Sequence, residues 1–548
     1  MEKTTPFPLR YSAYALSIAG LLISLPVTLW LGHGYLVPVA FGALTALGTY
    51  DLLQPHHTVR RNYPIMANFR YLFESIGPEI RQYFIQSDTE ERPFSREQRT
   101  VVYQRAKDIL DKRPFGSQLP MYEEGFEWMN HSLTPTRLDY SDFRIDIGKR
   151  CEKPYSASVF NISAMSFGAL SANAILSLNT GARMGGFYHD TGEGSISRYH
   201  REPGGDLVWE IGSGYFGCRH PDGRFSEERF RANATLDPVK MIEVKLSQGA
   251  KPGHGGILPG AKVTPEIAEA RGVPVGEDCV SPSSHSAFST PIELLEFLDH
   301  LRELSGGKPV GFKLAIGHPW EWFAIVKAML ETGRKPDFIV VDGGEGGTGA
   351  APLEFINRLG MPLTEALLLV HNTLVGAGLR EDIALGAAGK ITSAFDIART
   401  LALGADWCNA ARGYMFALGC IQALNCHTGR CPSGVATQDP RRGNKLDVGL
   451  KSQRVYNFHR NTLEALKNLL EASGLNHPSE LGPEHVIRRI SKTEVRSYLD
   501  IFPFLEPGDL LGEADTGLPA FDKYWKEAKA DTFEPPEFIR KLRETKLR

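Results

Sequence analysis

Residues 309–317 read PVGFKLAIG and residues 336–344 read PDFIVVDGG. Each is an apolar run of strand length ending in glycine, and the stretch between them is long enough for the crossover that parallel neighbours require. The same alternation extends upstream through VFNISAM (159–165), MIEVKLS (241–247), EDCVSP (277–282) and the helical PIELLEFLDHLREL (291–304). Downstream it continues through DIALGAAG (382–389), SAFDIARTLALG (393–404) and ADWCNAARG (405–413). Repeated strand-then-helix units leave two α/β architectures, a (β/α)8 barrel of the TIM type and a doubly wound sheet. Glycine placement favours the barrel. SFGA (166–169), GGEGGTGA (343–350), GAAGK (386–390) and ARG (411–413) each follow a strand-like run, where a barrel gathers its active-site loops. No strand leads into a compact G-x-G-x-x-G with an acidic residue about 20 positions on, which weakens a nicotinamide-binding reading.

Outside this core the chain divides by composition. With 548 residues, 42% hydrophobic, 23% charged and net charge -3, it is ordinary folded protein, and the balance gives no electrostatic reason to expect nucleic acid. Seven cysteines, an odd count in a long chain, argue for a reducing compartment rather than a secreted disulfide framework. The N-terminal segment is different. Tyr11 to Leu31 and Tyr35 to Tyr50 carry no charged side chain, and each approaches the roughly 20 residues that cross a bilayer core. Residues 1–60 therefore read as a transmembrane hairpin. The alternative is a signal peptide, but the first apolar run is longer than a usual signal core and a second follows it at once. Arg10 before the pair and Arg60 and Arg61 after it place both ends in the cytoplasm. The expectation is a cell-membrane protein with two spans and a cytoplasmic body. Residues 61–150, with the helical run Ser95 to Lys112, read as a helical connector, 151–480 as the barrel including segment 420–440, and 481–548 as a C-terminal extension ending in a helical tail.

Four features carry chemistry. The turns GAAGK and ARG, with Gly389, Lys390, Arg412 and Gly413, fall after the last two strands, where barrels often bind phosphate and where the helix opening near Ser393 adds its positive end. Ordinary strand-to-helix turns are the alternative. The loop GGEGGTGAAP, with Gly346, Gly347, Thr348 and Gly349, carries so little side chain that a planar or phosphorylated ligand could pass close over its backbone. Glu243, Lys245 and Lys313 interrupt strands that a barrel buries on both faces, so they must be paired or engaged by ligand. Finally, Cys420, Cys426 and Cys431 form C-x5-C-x4-C before a proline. Three thiolates match a three-iron cluster better than a closed zinc site. His427 as a ligand and unrelated free thiols stand as alternatives.

Together AMSFGALS (164–171), EVKLSQGAKPGHGGILPG (243–260), GGTGAAP (346–352) and CIQALNCHTGRCPSGVATQDP (420–440) resemble the FMN-binding synthase domain of glutamate synthase, over roughly residues 155–445. The resemblance implies FMN and a [3Fe-4S] cluster, with Cys420, Cys426 and Cys431 as cluster ligands. It places Met165 and Ser166 near the flavin and Glu243 and Lys313 at the flavin and 2-oxoglutarate site. The glycine turns would hold the FMN phosphate and ribityl chain. The implied reaction is reductive amination of a 2-oxo acid, with electrons from a ferredoxin or a separate reductase subunit. Two other readings use the same scaffold: a glutamate/methylamine amino-group transferase, and an electron-transfer subunit of a membrane complex. The chain departs from the large glutamate synthases in beginning with MEKTTPF and in having no cysteine before Cys151. Glutamine hydrolysis by an N-terminal cysteine is therefore not expected from this polypeptide. AIGHPWEWF (315–323) also differs from the family's glycine-rich continuation, in the region expected to recognise substrate.

Overall fold

A computed structural model describes residues 9–85, 92–253, 255–512 and 515–546. The chain forms two compact units, residues 1–95 and 96–548. In the first, helices α1 (Ser12–Leu31) and α2 (Leu36–Leu53) pack side by side as a hairpin. Gly32 ends α1 at φ 70°, a left-handed cap that glycine adopts without a Cβ penalty. Small residues let the helices approach: the Phe41 ring lies over Gly20, and Tyr14 lies over Gly48. Hydrogen bonds from Tyr14 to Thr49 at 2.8 Å and from Thr45 to Ser17 at 3.2 Å bridge the pair. Both helices are long and apolar enough to cross a membrane, and their outer residues, Leu22, Ile23, Leu29, Trp30 and Leu36, are exposed. A short helix, Thr58–Asn62, leads to α3 (Met66–Ile80), which runs on into a π-helical turn, Arg81–Ile85.

The second unit is a closed eight-stranded barrel. Its strands are β1 (Phe160–Ile162), β2 (His189–Asp190), β3 (Leu207–Ile211), β4 (Val239–Lys245), β5 (Val310–Leu314), β6 (Phe338–Asp342), β7 (Ala384–Ala388) and β8 (Trp407–Ala410). Every neighbouring pair is parallel, and β8 closes on β1 through Cys408 opposite Phe160. Helices α4 (Ala172–Gly185), α5 (Glu227–Ala234), α6 (Pro291–Leu304), α7 (Pro319–Thr332), α8 (Leu363–Gly376), α9 (Ala394–Ala402) and α10 (Arg412–Leu418) follow strands in the crossover pattern. The TIM-type expectation therefore holds, and GAAGK and ARG do follow the seventh and eighth strands.

One strand differs from the sequence reading. EDCVSP is not part of the barrel: Cys279–Val280 pairs antiparallel with Ile257–Leu258 in a separate two-stranded ribbon. Val280, in its apolar centre, is exposed, whereas a barrel strand is covered on both faces. The second and third strands come instead from His189–Asp190 and Leu207–Ile211.

The lower half of the barrel is filled with apolar side chains. A β-hairpin, Arg144–Ile147 with Tyr155–Ser158, inserts Ile147, Tyr155 and Ala157 among Tyr188, Val208, Met241, Phe338, Val340 and Trp407. All the barrel members of this cluster stand at or near the N-terminal ends of their strands. Burying a ring the size of Phe338 contributes about 2–3 kcal/mol. Trp407 Nε1 donates to Tyr188 Oη at 2.8 Å, and that hydroxyl donates to Asn409 Oδ1 at 2.6 Å, so the polar atoms inside the plug are paired. With the bottom closed, the C-terminal mouth is left for charge.

Two further elements brace the unit. Helix α11 (Val448–Ser473), capped by Asp447 accepting from Leu450 N at 2.7 Å, packs along α4, where Gly181 leaves room for Val455. Of the run Ser95 to Lys112 only Arg96–Ala106 is helical. Further on, in the stretch read as a helical connector, Glu127–Met129 is a strand that pairs with Val486–Arg489. Glu127 fixes it there by accepting from Tyr498 Oη at 2.6 Å and from Arg399 at 3.0 Å.

Candidate active site at the barrel mouth

Strand register decides what meets above the apolar plug. Glu210 on β3 stands opposite Glu243 on β4, and Lys245 stands opposite Lys313 on β5. Because strand side chains alternate, all four point to the barrel interior. Lys313 Nζ bonds to Glu210 and lies 3.2 Å from Glu243 Oε2. Asp190, at the end of β2, completes the group, with one oxygen of each of the three carboxylates within 4.8 Å of the others. All four residues are buried. Three carboxylates around one ammonium cannot all stay ionised out of water. Burial, reinforced by Glu210, pushes the Asp190 carboxyl up to about 7. Glu243 is raised well above the usual carboxylate range, again chiefly by burial. Burial alone would lower Lys313, but Glu210, Glu243 and Asp190 outweigh it and hold the ammonium charged. The quartet keeps a fixed cation at Lys313 and holds protons on Asp190 and Glu243 toward neutrality.

Lys245 does not join this group. It turns to Glu193 at 3.2 Å, in the TGEG turn that follows β2; burial would raise Glu193, but Lys245, with Arg271 and Lys251, outweighs it and holds the carboxyl below its ordinary range. The same turn meets the one after β1, where Gly194 N donates to Ser166 Oγ at 3.2 Å beside buried Met165.

Across the mouth the glycine turns interlock. Gly249 N donates to Asp342 Oδ2 at 2.9 Å, and a Cβ on Gly249 would run into the Gly343 carbonyl, so only glycine allows this crossing. Gly346 N closes a turn on Gly343 O at 3.0 Å, and the space beside Gly349 is open. Gly389 backs onto Leu363, and Lys390 takes a left-handed φ of 52°. Gly413 lies against Ile391 O, so the turns after β7 and β8 are neighbours. Ser393 caps α9 in a capping box with Asp396, whereas α10 has no side-chain cap and leaves its first N–H groups for a ligand. Arg412, at the start of α10, donates from Nη2 to Thr348 O at 2.8 Å and flanks Gly347.

The thiols lie on the far side of Arg412. Its Nη1 is 3.9 Å from Cys426 Sγ and 3.4 Å from Met415 Sδ. Cys420 is raised by burial, with Cys426 and Cys431 adding to the effect. Burial would raise Cys431 too, but the Ser433 hydroxyl and the N–H groups of Ala436, Ser433 and Val435 outweigh it and lower the thiol. A sulfur with that many donors is prepared to be a thiolate. Among the described residues, the set of three or more ligand atoms close enough to share one ion is the carboxylate trio, not the thiols. The cysteine segment is also stitched to the turn after β1. Ser171 Oγ donates to Gly434 O at 2.8 Å, Ser171 N to Val435 O at 2.9 Å, and Gln438 Nε2 to Gly168 O and Leu170 O at 3.0 and 2.8 Å.

These residues fit the groups that the resemblance implies. Interlocked glycines at the mouth make a cradle that any Cβ would fill, which suits FMN. Three thiols on one segment, Cys431 lowered by N–H donors and Cys426 beside the Arg412 guanidinium, have the donor chemistry of an iron-sulfur site. Sequence reasoning missed Asp190, Glu210 and Glu193. Glu210 could have been found, because it interrupts the apolar run LVWEI as Glu243 interrupts MIEVKLS.

Comparison with known proteins bears on the family. Residues 127–476 match the family model described as "Conserved region in glutamate synthase". The chain is 40% identical over 481 residues to the glutamate synthase large subunit-like protein YerD of Bacillus subtilis, covering 80% of this chain and 91% of that protein. It is 36% identical to the archaeal-type glutamate synthase [NADPH] of Thermotoga neapolitana, covering 57% of this chain and 59% of that protein. The archaeal glutamate synthase [NADPH] of Methanocaldococcus jannaschii is also 36% identical, with 58% and 59% covered. The chain thus spans nearly the whole of YerD but about three fifths of the two proteins named for NADPH.

Proposed function

The chain belongs to the glutamate synthase family, and from that premise we propose that it is an oxidoreductase that reductively aminates a 2-oxo acid, with 2-oxoglutarate as the leading substrate. Bound at the mouth, FMN supplies hydride transfer, and a [3Fe-4S] cluster on Cys420, Cys426 and Cys431 supplies single-electron steps. The observation that carries this reading is the Lys313 ammonium held among Asp190, Glu210 and Glu243 beside the glycine turns.

Each residue has a task in this reading. Lys313 presents a fixed positive charge where negative charge builds on substrate or cofactor, and does so without reorganisation because its partners are buried with it. Glu243 and Asp190 retain a proton near neutrality and deliver it to the amino acid as it forms. Glu193 fixes Lys245 at the rim. Thr348 O and the glycines of 346–349 shape the floor for the ring. Gly389, Lys390 and Gly413 offer backbone N–H groups to the phosphate. Arg412 ties that floor to the cysteine segment.

Electrons are assigned to an external donor, a ferredoxin or a separate reductase subunit, and similarity to a large subunit-like protein supports a partner. The hairpin of α1 and α2 supports a membrane location with two spans and the barrel on the cytoplasmic side. That same hairpin favours a second reading, in which the chain passes electrons within a membrane complex and takes no amino acid. The experiment is to reduce the purified full chain chemically without oxygen and follow flavin reoxidation with a panel of 2-oxo acids and ammonia. Reoxidation by 2-oxoglutarate plus ammonia is expected; none with any 2-oxo acid overturns the synthase reading in favour of the second. Turnover between glutamate and methylamine with no donor present would assign an amino-group transferase instead.

A further inference from the structure

Helix α3 has an apolar face that nothing among the described residues of its own unit covers. Met66, Phe69, Phe73, Ile76 and Ile80 recur at steps of three and four, and Phe84 extends the series into the π-helical turn. At 100° per residue the five helical positions fall in an arc of about 80°. All of them are exposed, from 37% at Ile80 to 60% at Phe73, with Phe84 at 85%. Five large apolar side chains in one narrow stripe are not the scattered exposure of an ordinary surface. The opposite side of the helix faces inward. Ala67 is buried, Asn68 Nδ2 donates to Asp51 Oδ2 at 2.6 Å, and Tyr71 packs on the His57 ring with Arg60 over it. Arg70 and Glu74 pair along one flank at 2.7 Å.

The root of the helix is fixed in height. Asp51, in the last turn of α2, also accepts from Ile65 N at 2.9 Å. Helix α3 therefore starts at the level where the second apolar helix ends. Arg60 and Arg61 stand on the short helix between them, and Arg10 precedes α1 at the same end of the hairpin. A stripe of Phe, Ile and Met, bordered by charge and rooted where a span ends, has the make-up of a helix lying in a bilayer interface.

Resting on the membrane reading of α1 and α2, we infer that α3 and the turn after it lie in the plane of the cytoplasmic headgroup layer, with the Met66–Phe84 face sunk toward the acyl chains and the exposed Arg10 and Arg61 against anionic lipid. The occupant of this face is the bilayer in which the hairpin sits, because the stripe and the exposed apolar residues of α1 and α2 belong to one compact unit and α3 is rooted on Asp51 at the end of α2.

The full chain, reconstituted in phosphatidylcholine and phosphatidylglycerol vesicles, tests this with diazirine lipids that carry the photoreactive carbon near the glycerol in one preparation and at the chain end in the other. Peptides from residues 66–85 are expected to be labelled from the glycerol-proximal position and far less from the chain end, whereas α1 and α2 are labelled from both. The double variant Phe69→Glu, Phe73→Glu should lose most of the label at 66–85 and keep that on α1 and α2. Labelled α1 and α2 with 66–85 unlabelled overturns the inference and leaves the hairpin standing. No label anywhere overturns both. Crosslinks from 66–85 to a second copy in place of lipid overturn the inference and assign the face to self-association.

Discussion

The guanidinium of Arg412 stands 3.9 Å from the Cys426 sulfur while its other nitrogen holds the Thr348 carbonyl at 2.8 Å. One side chain thus touches both the glycine loop and the cysteine segment. Arg412→Ala is expected to weaken FMN retention by about tenfold or more, since a hydrogen bond from a charged donor contributes roughly 1.5–3 kcal/mol. It should also lower the midpoint potential of the proposed cluster, because a cation beside the Cys426 sulfur is lost. Arg412→Lys should restore part of the potential and little of the retention. FMN release on filtration and a potentiometric titration by electron paramagnetic resonance read the two effects separately.

Removing the cation of the buried quartet has a different signature. Lys313→Met leaves Asp190, Glu210 and Glu243 without their counter-ion, and breaking a buried pair from one side costs about 3–5 kcal/mol. Adding Glu210→Gln removes one of the stranded acids and should recover part of that stability, with turnover still absent. Chemical denaturation alongside the reoxidation assay separates the structural role from the chemical one. Equal stability of wild type and Lys313→Met would show that the ammonium is not the cation holding these acids.

The raised Asp190 sets a pH dependence with a definite sign. Its carboxyl titrates near the ordinary carboxylate value when unfolded and at about 7 in the folded chain, so the folded state binds more protons between those limits. Stability from this group is fully present below pH 4 and is lost as pH rises through 7. His200, held neutral by burial and lowered to about 3, acts in the opposite direction between pH 3 and 6.5. The difference between Asp190→Asn and wild type isolates the aspartate: the variant should gain relative stability steadily from pH 4 to 7 and hold that gain above. A difference that stays flat with pH would mean that Asp190 is ionised throughout.

Cysteine replacements give the cleanest test of the thiol triplet. Cys420→Ser, Cys426→Ser and Cys431→Ser are each expected to lower bound iron and the three-iron resonance, while Cys151→Ser, in the turn of the bottom hairpin, leaves both unchanged. Iron per chain and low-temperature spectra of oxygen-free preparations provide the check. Full iron in all three variants would make the thiols bystanders.

The strands that could be read from sequence were those with largely apolar runs, FIVV (338–341) above all, because burial on both faces leaves no alternation to hide them. His189–Asp190 could not be read so. It pairs over two residues and carries an imidazole and a carboxyl that burial, rather than composition, makes compatible with the core. EDCVSP was the converse, a strand-like run whose two paired residues belong to a ribbon outside the barrel. The glycine turns and the cysteines were legible because their chemistry is local. The quartet was half legible: Glu243 and Lys313 stood out within strands, but Asp190 and Glu210 join them through strand register, which residue spacing along the chain does not contain.

The hydrogen bonds from Ser171 and Gln438 across the cysteine segment bear on how the protein is made. The turn after β1 is synthesised early, yet the groups that satisfy it, Gly434, Val435 and Gln438, leave the ribosome more than two hundred and fifty residues later. Contacts so far apart in sequence form late. The N-terminal helices are therefore complete long before the mouth of the barrel can close, and any group held between the turn after β1 and the cysteine segment must be loaded into a nearly finished chain.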